Sequence, residues 1–297
     1  MKVMFYGSMN IDHTYRVDHI ALPGETQPAV SLSVGAGGKG ANQCAAFAKA
    51  LGEERPQLFF AGKCGEDGRF IKDLLSELGA DVSHVASCEH TGSAVIQLDR
   101  NGQNSIIIYG GGNTQIEKDE IVSALAELSE GDMLCLNAEI NALDFIMEQA
   151  LEKGLRIVFN PSPITPELRE LPLGRCMLLV LNEIEGRVMA ELPVGASYEE
   201  ILEALRAKYP ESMIVLTMGS EGSYFAFRET KLRCPVKDTV VADTTCAGDT
   251  FLGYFLAGLI EGKAPADCLR LATAASSITV SRPGAMLSVP FRRELDF

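Results

Sequence analysis

The chain has 297 residues and a formal net charge of −14, with 46% hydrophobic and 22% charged residues. This composition is ordinary for a globular protein with a full core, and the acidic balance argues against nucleic-acid and anionic-membrane partners. The N-terminal apolar run is too short for a signal peptide, and no stretch reaches the roughly 18 apolar residues of a membrane span. The eight cysteines form no C-x-x-C pair, so we expect reduced thiols, a cytoplasmic location and small-molecule partners.

Short apolar runs alternate with longer amphipathic segments along most of the chain. The runs predict strands over residues 3–6, 58–61, 133–136, 156–159, 177–181 and 213–217, and the segments predict helices over residues 41–51, 70–78, 116–128, 142–153 and 198–208. Strands that alternate with helices in this way predict a mostly parallel sheet covered by helices on both faces.

Two regions interrupt this alternation with short β-rich runs. Residues 12–34 contain two such runs around a Pro23-Gly24 turn, and residues 91–109 contain two runs separated by Asn101-Gly102, a strong hairpin signal. We therefore expect one α/β domain over residues 1–297 that carries a small β-sheet lid, inserted at about residues 12–34 and 91–109. One face of this lid is expected to be wet or covered by a partner.

Residues 35–42, Gly-Ala-Gly-Gly-Lys-Gly-Ala-Asn, form the densest motif in the first half of the chain. They do not fit a phosphate-binding loop of the G-x-x-x-x-G-K-[ST] type, because Gly40 follows Lys39 where Ser or Thr would bind magnesium. Three interpretations remain. The segment is a dinucleotide-binding fingerprint, a plain helix-opening turn, or a turn that opens a helix at Ala41 with Lys39 and backbone N–H groups facing an anionic or hydroxyl-rich ligand.

The dinucleotide fingerprint G-x-G-x-x-G matches residues 35–40 literally, and Glu53 or Glu54 follows at about the expected distance. That fingerprint normally joins the first strand of a βαβ unit to its helix, whereas the first strand here ends at Gly7. Its position therefore argues against a dinucleotide site, and an NAD-dependent oxidoreductase is kept as a distant alternative.

A second motif, Asp-Thr-Thr-Cys-Ala-Gly-Asp at residues 243–249, precedes an apolar segment that predicts a buried helix. The small residues Cys246, Ala247 and Gly248 let the helix N-terminus approach a ligand, where unpaired N–H groups form an anion hole suited to a transferring phosphoryl group. Asp249 lies in the first helical turn, where the helix dipole favours the ionised carboxylate. From there it can act as a general base towards a hydroxyl group, and the structural alternative is an acidic N-terminal cap.

The two motifs together resemble the signatures of the ribokinase-like (PfkB) carbohydrate kinases, and the resemblance extends along the whole chain in motif order. Residues 7–12 resemble the opening strand with its sugar-binding Asn and Asp, residues 23–26 the lid turn, residues 182–185 the N-x-x-E motif, and residues 217–222 the nucleotide-binding T-x-G-x-x-G loop. The resemblance implies a three-layer α/β/α fold and ATP-dependent kinase activity.

The resemblance further implies transfer of the γ-phosphate of ATP to the primary hydroxyl of a pentose. D-Ribose is the expected pentose, because residues 37–42 and 160–163 look most like the ribokinase members of the family. The chain departs from the usual pattern at Asn137-Ala138, at Gly111-Gly112-Asn113 and at Thr273. Deoxyribose, a ketohexose and a nucleoside such as pseudouridine are therefore alternatives, and a catalytically silent sugar-binding regulator is a further one that the intact base and anion-hole sequence disfavours.

The resemblance also assigns roles to individual residues. It implies a sugar site formed by Asn10, Asp12, Gly38, Lys39, Asn42 and Glu139 with Asp249 as the base, and an ATP site formed by Asn182, Thr217, Gly219, Gly222, Gly248 and Thr273. It implies a monovalent cation, K⁺, held by Asp243, Thr245, Thr279, Arg282, Gly284 and Ser288, and Mg²⁺ organised through water by Glu185. Lids of this family often pair, so we expect a homodimer.

Overall fold

A computed structural model describes residues 1–52, 55–237 and 239–295 and contains two β-sheets, the larger of which has helices on both faces. In chain order the strands are β1 (Lys2–Tyr6), β2 (Asn10–Arg16), β3 (Ser31–Gly37), β4 (Gln57–Cys64), β5 (Asp81–Ser87), β6 (Gly92–Leu98), β7 (Asn104–Tyr109), β8 (Met133–Asn137), β9 (Arg156–Asn160), β10 (Leu178–Asn182), β11 (Met213–Thr217), β12 (Ser223–Phe227) and β13 (Thr230–Cys234). The α-helices are α1 (Lys39–Ala50), α2 (Arg69–Glu77), α3 (Lys118–Leu125), α4 (Leu143–Glu152), α5 (Glu183–Met189), α6 (Tyr198–Lys208), α7 (Ala247–Ile260) and α8 (Pro265–Val280).

The large sheet has nine strands in the order β13-β12-β11-β10-β9-β8-β1-β4-β5. Seven of them, from β5 to β11 in that order, run parallel, and β12 and β13 add an antiparallel edge. The interior strands are nearly continuous apolar runs, as a sheet covered on both faces requires. The predicted mostly parallel sheet is confirmed.

Alternation along β1 shows how the sheet divides the core into two halves. Val3 and Phe5 point into one hydrophobic cluster, which contains residues of α1, α2, α7 and α8. Met4 and Tyr6 point into the other cluster, which contains residues of α3, α4 and α6. Since successive side chains of a strand point to opposite faces, one five-residue strand ties both helical layers to the sheet, and the predicted three-layer α/β/α fold is confirmed.

The small sheet has the strand order β3-β2-β6-β7. Strands β2 and β3 are antiparallel, β2 and β6 are parallel, and β6 and β7 form the predicted hairpin. Gly102 in the hairpin turn has a φ of 80°, which suits glycine. The sheet is therefore built from two chain segments that the sequence placed at about residues 12–34 and 91–109.

The outer face of the small sheet carries a largely apolar row, in which His13 is the one polar side chain. Strand register aligns Val34, His13, Val95 and Ile107 across all four strands, on the face opposite Asp12. Val34 is 55% exposed and Ile107 is 65% exposed. The face predicted to be wet or partner-covered is thus largely apolar and open to solvent in this single chain.

Two further expectations concern cysteines and membrane spans. All eight cysteines are free, and only Cys88 is less than fully buried. Within the described ranges, no helix is both long enough and apolar enough to cross a membrane.

Candidate functional site

The predicted sugar-binding residues meet in one cleft of about 650 Å³ between the two sheets. The parallel strands β1, β8, β9, β10 and β11 all end at this edge of the large sheet, where open α/β sheets bind ligands. The cleft is lined by all seven residues predicted for the sugar site, which are Asn10, Asp12, Gly38, Lys39, Asn42, Glu139 and Asp249. Their roles in binding stay predictions.

The glycine segment brings α1 against the loop that follows β1. Gly38 has a φ of 88°, and a Cβ at this position would lie 2.7 Å from the backbone nitrogen of Asn10. Only glycine tolerates this conformation at so close an approach. The helix then begins at Lys39, two residues before the predicted start. Because the segment follows a strand of the small sheet, it lacks the context of a dinucleotide fingerprint, and Glu53 and Glu54 lie outside the described residues.

The backbone of Lys39 is hydrogen-bonded to the Glu139 carboxylate at the start of α1. The backbone N–H of Lys39 donates to Glu139 Oε2 over 3.0 Å, and the Ser8 hydroxyl donates to the same oxygen. Burial raises the pKa of Glu139, and the Lys39 ammonium only partly offsets this effect. Burial opposes the charge of Lys39 itself, but Asp249, Glu139 and Glu185 outweigh it and raise the pKa of the ammonium group. The cleft therefore contains a cation surrounded by carboxylates.

Asp12 and Asn10 extend from β2 into the cleft. Burial, followed by the charges of Glu139 and Asp249, raises the pKa of Asp12 to about 7. Asn10 is oriented by Asn113, whose Nδ2 donates to Asn10 Oδ1 over 2.8 Å. With its oxygen already bonded, Asn10 has its NH₂ group as the donor to offer a ligand.

Asp249 sits in the first turn of α7, 7% exposed, and lines the cleft. Its carboxylate accepts hydrogen bonds from Asn42 Nδ2 over 3.2 Å and from Gln43 Nε2 over 2.9 Å. Asn42 Oδ1 is buried without a hydrogen-bond partner, which is costly unless a donor arrives. A ligand hydroxyl beside Asp249 would supply that donor, so the orphaned oxygen fits a polyhydroxylated substrate.

The start of α7 presents backbone N–H groups next to Asp249. The first-turn amides of a helix have no intrahelical acceptor. Here they belong to Ala247, Gly248 and Asp249, and the Ala247 N–H donates to the carbonyl of Thr244 over 3.3 Å. Cys246, just before the helix, has a left-handed φ of 66°. A Cβ at Gly248 would meet no atom of another part of the described chain within 4 Å, so the space beside this residue is open. This opening lets an anion approach the helix N-terminus, as the predicted anion hole requires.

A second cavity of about 390 Å³ adjoins the first and has a largely apolar lining that includes Val241, Phe251 and Val280. The two cavities share Thr217, Gly219, Thr244, Ala247 and Gly248. Of the residues predicted for ATP, Gly222 and Thr273 line the second cavity and Asn182 the first. An apolar pocket joined to a polar cleft at a helix N-terminus has the shape that a nucleotide needs for its base and phosphates.

Asn182 and Glu185 form a capping box at the start of α5. Asn182 Oδ1 accepts from the Glu185 N–H over 2.9 Å, while Asn182 donates through its backbone N–H and its Nδ2 to the Glu185 carboxylate over 2.9 and 2.8 Å. Both residues also line the cleft. Each carboxylate oxygen keeps a second lone pair, so the pair fits Mg²⁺ held through water as well as a structural cap.

Asp243 links two of the loops that contain the predicted cation ligands. Its Oδ1 accepts from the Thr245 N–H over 2.9 Å and its Oδ2 from the Gly284 N–H over 3.0 Å, which joins the loop before α7 to the loop after α8. The carbonyl of Thr279 accepts from the Arg282 N–H, and Ser288 is buried nearby in sequence. One carboxylate with neighbouring backbone carbonyls is a donor set that suits a hard cation such as K⁺.

Comparison with known proteins assigns the chain to a family. A model described as pfkB family carbohydrate kinase matches residues 1–292. The chain belongs to this family. The kinase is similar to ribokinase of Haemophilus influenzae, with 31% identity over 97% of this chain and 95% of that protein. The predicted phosphotransferase that acts on an alcohol group is confirmed.

Solved structures agree with the family. Ribokinase of Cryptococcus neoformans in complex with ADP superposes with a TM-score of 0.82 at 31% identity, covering 99% of this kinase and 97% of that chain. Ribokinase of Arabidopsis thaliana in complex with ribose and ATP has a TM-score of 0.82 at 30% identity, covering 98% and 96%. The predicted ribokinase-like fold is confirmed over the full length.

Several residues that hold the site of this kinase together have no role predicted from the sequence. These residues are Ser8, Gln43, Asn113 and Asn160, each hydrogen-bonded to a cleft residue or to its partner. Asn160 ends β9 at the same edge where Asn137 ends β8 and Asn182 ends β10. Three predicted parallel strands each end at an asparagine, and this repetition could have indicated Asn160 as a site residue.

Proposed function

We propose that this chain is an ATP-dependent kinase that transfers the γ-phosphate of ATP to the primary hydroxyl of D-ribose. The observation that carries the proposal is the position of Asp249, which lines the polar cleft in the first turn of α7, directly after Ala247 and Gly248, where the cleft meets the second cavity. The similar ribokinase that was solved with ribose and ATP supports both substrates.

In the proposed reaction, Asp249 accepts the proton of the primary hydroxyl. The hydroxyl oxygen forms a bond to the γ-phosphorus, and the bond between that phosphorus and the β–γ bridging oxygen breaks, so that ADP leaves with its electron pair. The backbone amides of residues 246–248 at the α7 N-terminus and the Lys39 ammonium stabilise the charge that develops on the transferring group. Asp249 is thus the base, and the α7 N-terminus is the anion hole.

Sugar recognition falls to the polar residues of the cleft. Asn10 donates through its NH₂ group, Asp12 and the Asn42 oxygen accept from hydroxyls, and Glu139 is held in place by the backbone of Lys39. A site of buried polar groups discriminates strongly against analogues that leave one of them unpaired. This supports a polyhydroxylated substrate over an apolar one.

Two metal ions complete the proposal. Mg²⁺, when bound, neutralises phosphate charge, and Asn182 and Glu185 would hold it through water. K⁺ would lie at Asp243 with the carbonyls of Thr245, Thr279, Arg282, Gly284 and Ser288, where it would support the loop that precedes the anion hole. The second lone pairs of the Asp243 carboxylate support this assignment.

We treat residues 1–297 as one domain in which the small sheet serves as a lid. Closure over the cleft would exclude water, so that ATP is not hydrolysed in the absence of sugar. The apolar outer row of the lid, from Val34 to Ile107, supports a homodimer in which two lids pair. The eight free thiols support a reducing, cytoplasmic location.

The activity test is ADP release measured with ribose, deoxyribose, a ketohexose and pseudouridine, with and without K⁺. We expect ribose to give the highest kcat/KM and K⁺ to raise the rate. A higher kcat/KM with another acceptor would overturn ribose as the substrate. Equal rates with and without K⁺ would overturn the cation site alone.

A further inference from the structure

Gln43 is a buried glutamine whose two side-chain amide hydrogens are both used in hydrogen bonds. It lies in α1, 1% exposed, and its Nε2 donates to Asp249 Oδ1 over 2.9 Å and to Asn160 Oδ1 over 3.1 Å. A carboxamide nitrogen carries two hydrogens, so these two bonds use its full donor capacity. The opposite orientation of the amide would set its oxygen against two acceptors, which fixes the orientation shown.

Asn160 links Gln43 to the large sheet. Asn160 is the last residue of β9, and its Nδ2 donates to the carbonyl of Val180 in β10 over 2.8 Å. A hydrogen-bonded chain therefore runs from the backbone of β10 through Asn160 and Gln43 to Asp249. Its origin is a strand buried in the sheet, which is a rigid support.

Asn42 and Gln43 both bond to Asp249 but differ in whether they line the cleft. Asn42 lines the cleft, whereas Gln43 is absent from the residues that line it. Gln43 therefore has no surface to offer a sugar, and it contacts the site through the Asp249 carboxylate and through Asn160, which lines the cleft.

We propose that Gln43 is a positioning residue that fixes the plane of the Asp249 carboxylate by holding Oδ1. With Oδ1 held from α1 and Oδ2 bonded to Asn42, the carboxylate cannot turn about its last side-chain bond. It then presents the free lone pair of one oxygen to the hydroxyl in a constant direction. This inference rests on the proposed role of Asp249 as the base.

The chemistry of the link predicts two consequences. A base that is misplaced by a fraction of an ångström loses rate without losing the substrate, so removal of Gln43 lowers kcat more than it changes KM. A donated hydrogen bond also stabilises the ionised carboxylate, so its removal moves the acidic limb of the pH–rate profile towards higher pH. The charged or titratable groups that interact with Asp249 are Lys39 on α1, Asp12 on β2, Glu139 after β8 and Cys246 before α7.

The test compares Gln43→Met, which keeps the length of the side chain, with Gln43→Glu, which keeps its shape. We expect Gln43→Met to lower kcat with ribose about 10- to 100-fold, to leave KM within about threefold, and to move the acidic limb up by about half a pH unit or more. Gln43→Glu sets a second carboxyl group against Asp249, so the pair retains a proton and the limb moves further. The matched control is Gln149→Met, which removes another helical glutamine bonded to a carboxylate, Glu152, at 3.1 Å, and it should leave kcat and the profile unchanged.

Each outcome bears on one claim. A Gln43→Met enzyme with wild-type kcat and an unmoved acidic limb overturns the inference, as does a loss of kcat that accompanies lower thermal stability with the limb unmoved. If Gln43→Met does not fold, Gln43→Glu alone tests the inference: an acidic limb at higher pH supports it, and an unmoved limb overturns it. Asp249→Asn is assayed in parallel. If it turns over at the wild-type rate, the proposed base is wrong, whereas an inactive Asp249→Asn beside an unaffected Gln43→Met removes the positioning role only.

Discussion

Asn42 Nδ2 donates a hydrogen bond to Asp249 Oδ2 over 3.2 Å and so joins two side chains that are 207 residues apart in sequence. One belongs to the glycine segment and the other to the 243–249 motif. The contact places the buried, unpartnered oxygen of Asn42 beside the carboxylate. A hydroxyl that donates to the Asn42 oxygen or to the Asp249 carboxylate would therefore be near both groups.

The raised pKa of Asp12 predicts a pH-dependent cost in stability. Burial, Glu139 and Asp249 raise this pKa to about 7 in the folded chain, against about 3.9 in an unfolded one. Between these values the folded state binds more protons, so its stability falls as the pH rises towards 7. We expect the gain in free energy of unfolding from Asp12→Asn to be about 1–3 kcal/mol larger at pH 8 than at pH 5, measured by urea denaturation. The exposed Asp18→Asn is the control, and an equal gain at both pH values would contradict the assignment.

The left-handed conformation of Cys246 predicts that one substitution leaves kcat unchanged and that another lowers it. Cys246→Gly accepts a φ of 66° without strain, so the amides of the α7 N-terminus stay in place and kcat stays within about threefold of the parent. Cys246→Val brings a β-branched side chain to this conformation, which costs about 1–2 kcal/mol or displaces the turn. We expect kcat to fall at least about tenfold in that variant. Similar rates in the two variants would show that this turn does not set the anion hole.

Lys49 anchors the loop that contains the predicted cation ligands. Its buried ammonium donates to the carbonyls of Met286 and Val289 over 3.0 and 2.9 Å. Lys49→Met keeps the aliphatic stem but leaves both carbonyls without this donor, so the free energy of unfolding should fall by about 1–3 kcal/mol. The K⁺ concentration for half-maximal activity should also rise, since Gly284 and Ser288 belong to the same loop. Lys118→Met, at an exposed lysine, should change neither quantity. An unchanged K⁺ response in Lys49→Met would separate this loop from the cation site.

The apolar outer row of the small sheet predicts a dimer. Ile107 is 65% exposed on the edge strand β7, on a face that also carries Val34 and Val95, and exposed patches of this kind mark interfaces. Light scattering after gel filtration should give a dimer for the parent chain and a monomer for Ile107→Asp. Val122→Asp, at a similarly exposed residue of α3, should remain dimeric. A monomeric parent chain would contradict the proposed homodimer.

The sequence predicted the fold because its signals were local. Apolar runs located six parallel strands, and Asn101-Gly102 located the hairpin of the small sheet. Strands β5 and β13 were not predicted, since they lie at the two sheet edges, where half-exposed residues weaken the apolar run. Strand β12 was also not predicted, although it is buried and lies between β11 and β13. Helix α3 begins two residues later and ends three residues earlier than residues 116–128, because Ile116 and Leu128 pack against the core from outside the helix.

The motif residues of the site were predicted from the sequence, but the residues that hold them in place by hydrogen bonds were not. Glycine spacing and family resemblance indicated Gly38, Lys39 and Asp249, because these positions carry residue types that the chemistry requires. Gln43 carries no such pattern, and Asn160 was marked by its segment and by its place at the end of a predicted strand but not by any role. Their importance comes from hydrogen bonds between α1, β9 and α7, and contacts between distant elements are not encoded in local spacing.

The role of Asp249 as the base is tested most directly by the turnover of Asp249→Asn with ribose and ATP, measured together with ribose binding by calorimetry. The amide keeps the shape of the side chain but cannot accept the hydroxyl proton. We expect kcat to fall about 10²- to 10⁴-fold while the Kd for ribose stays within about tenfold. A variant that binds ribose and turns over within about tenfold of the parent rate would contradict the account.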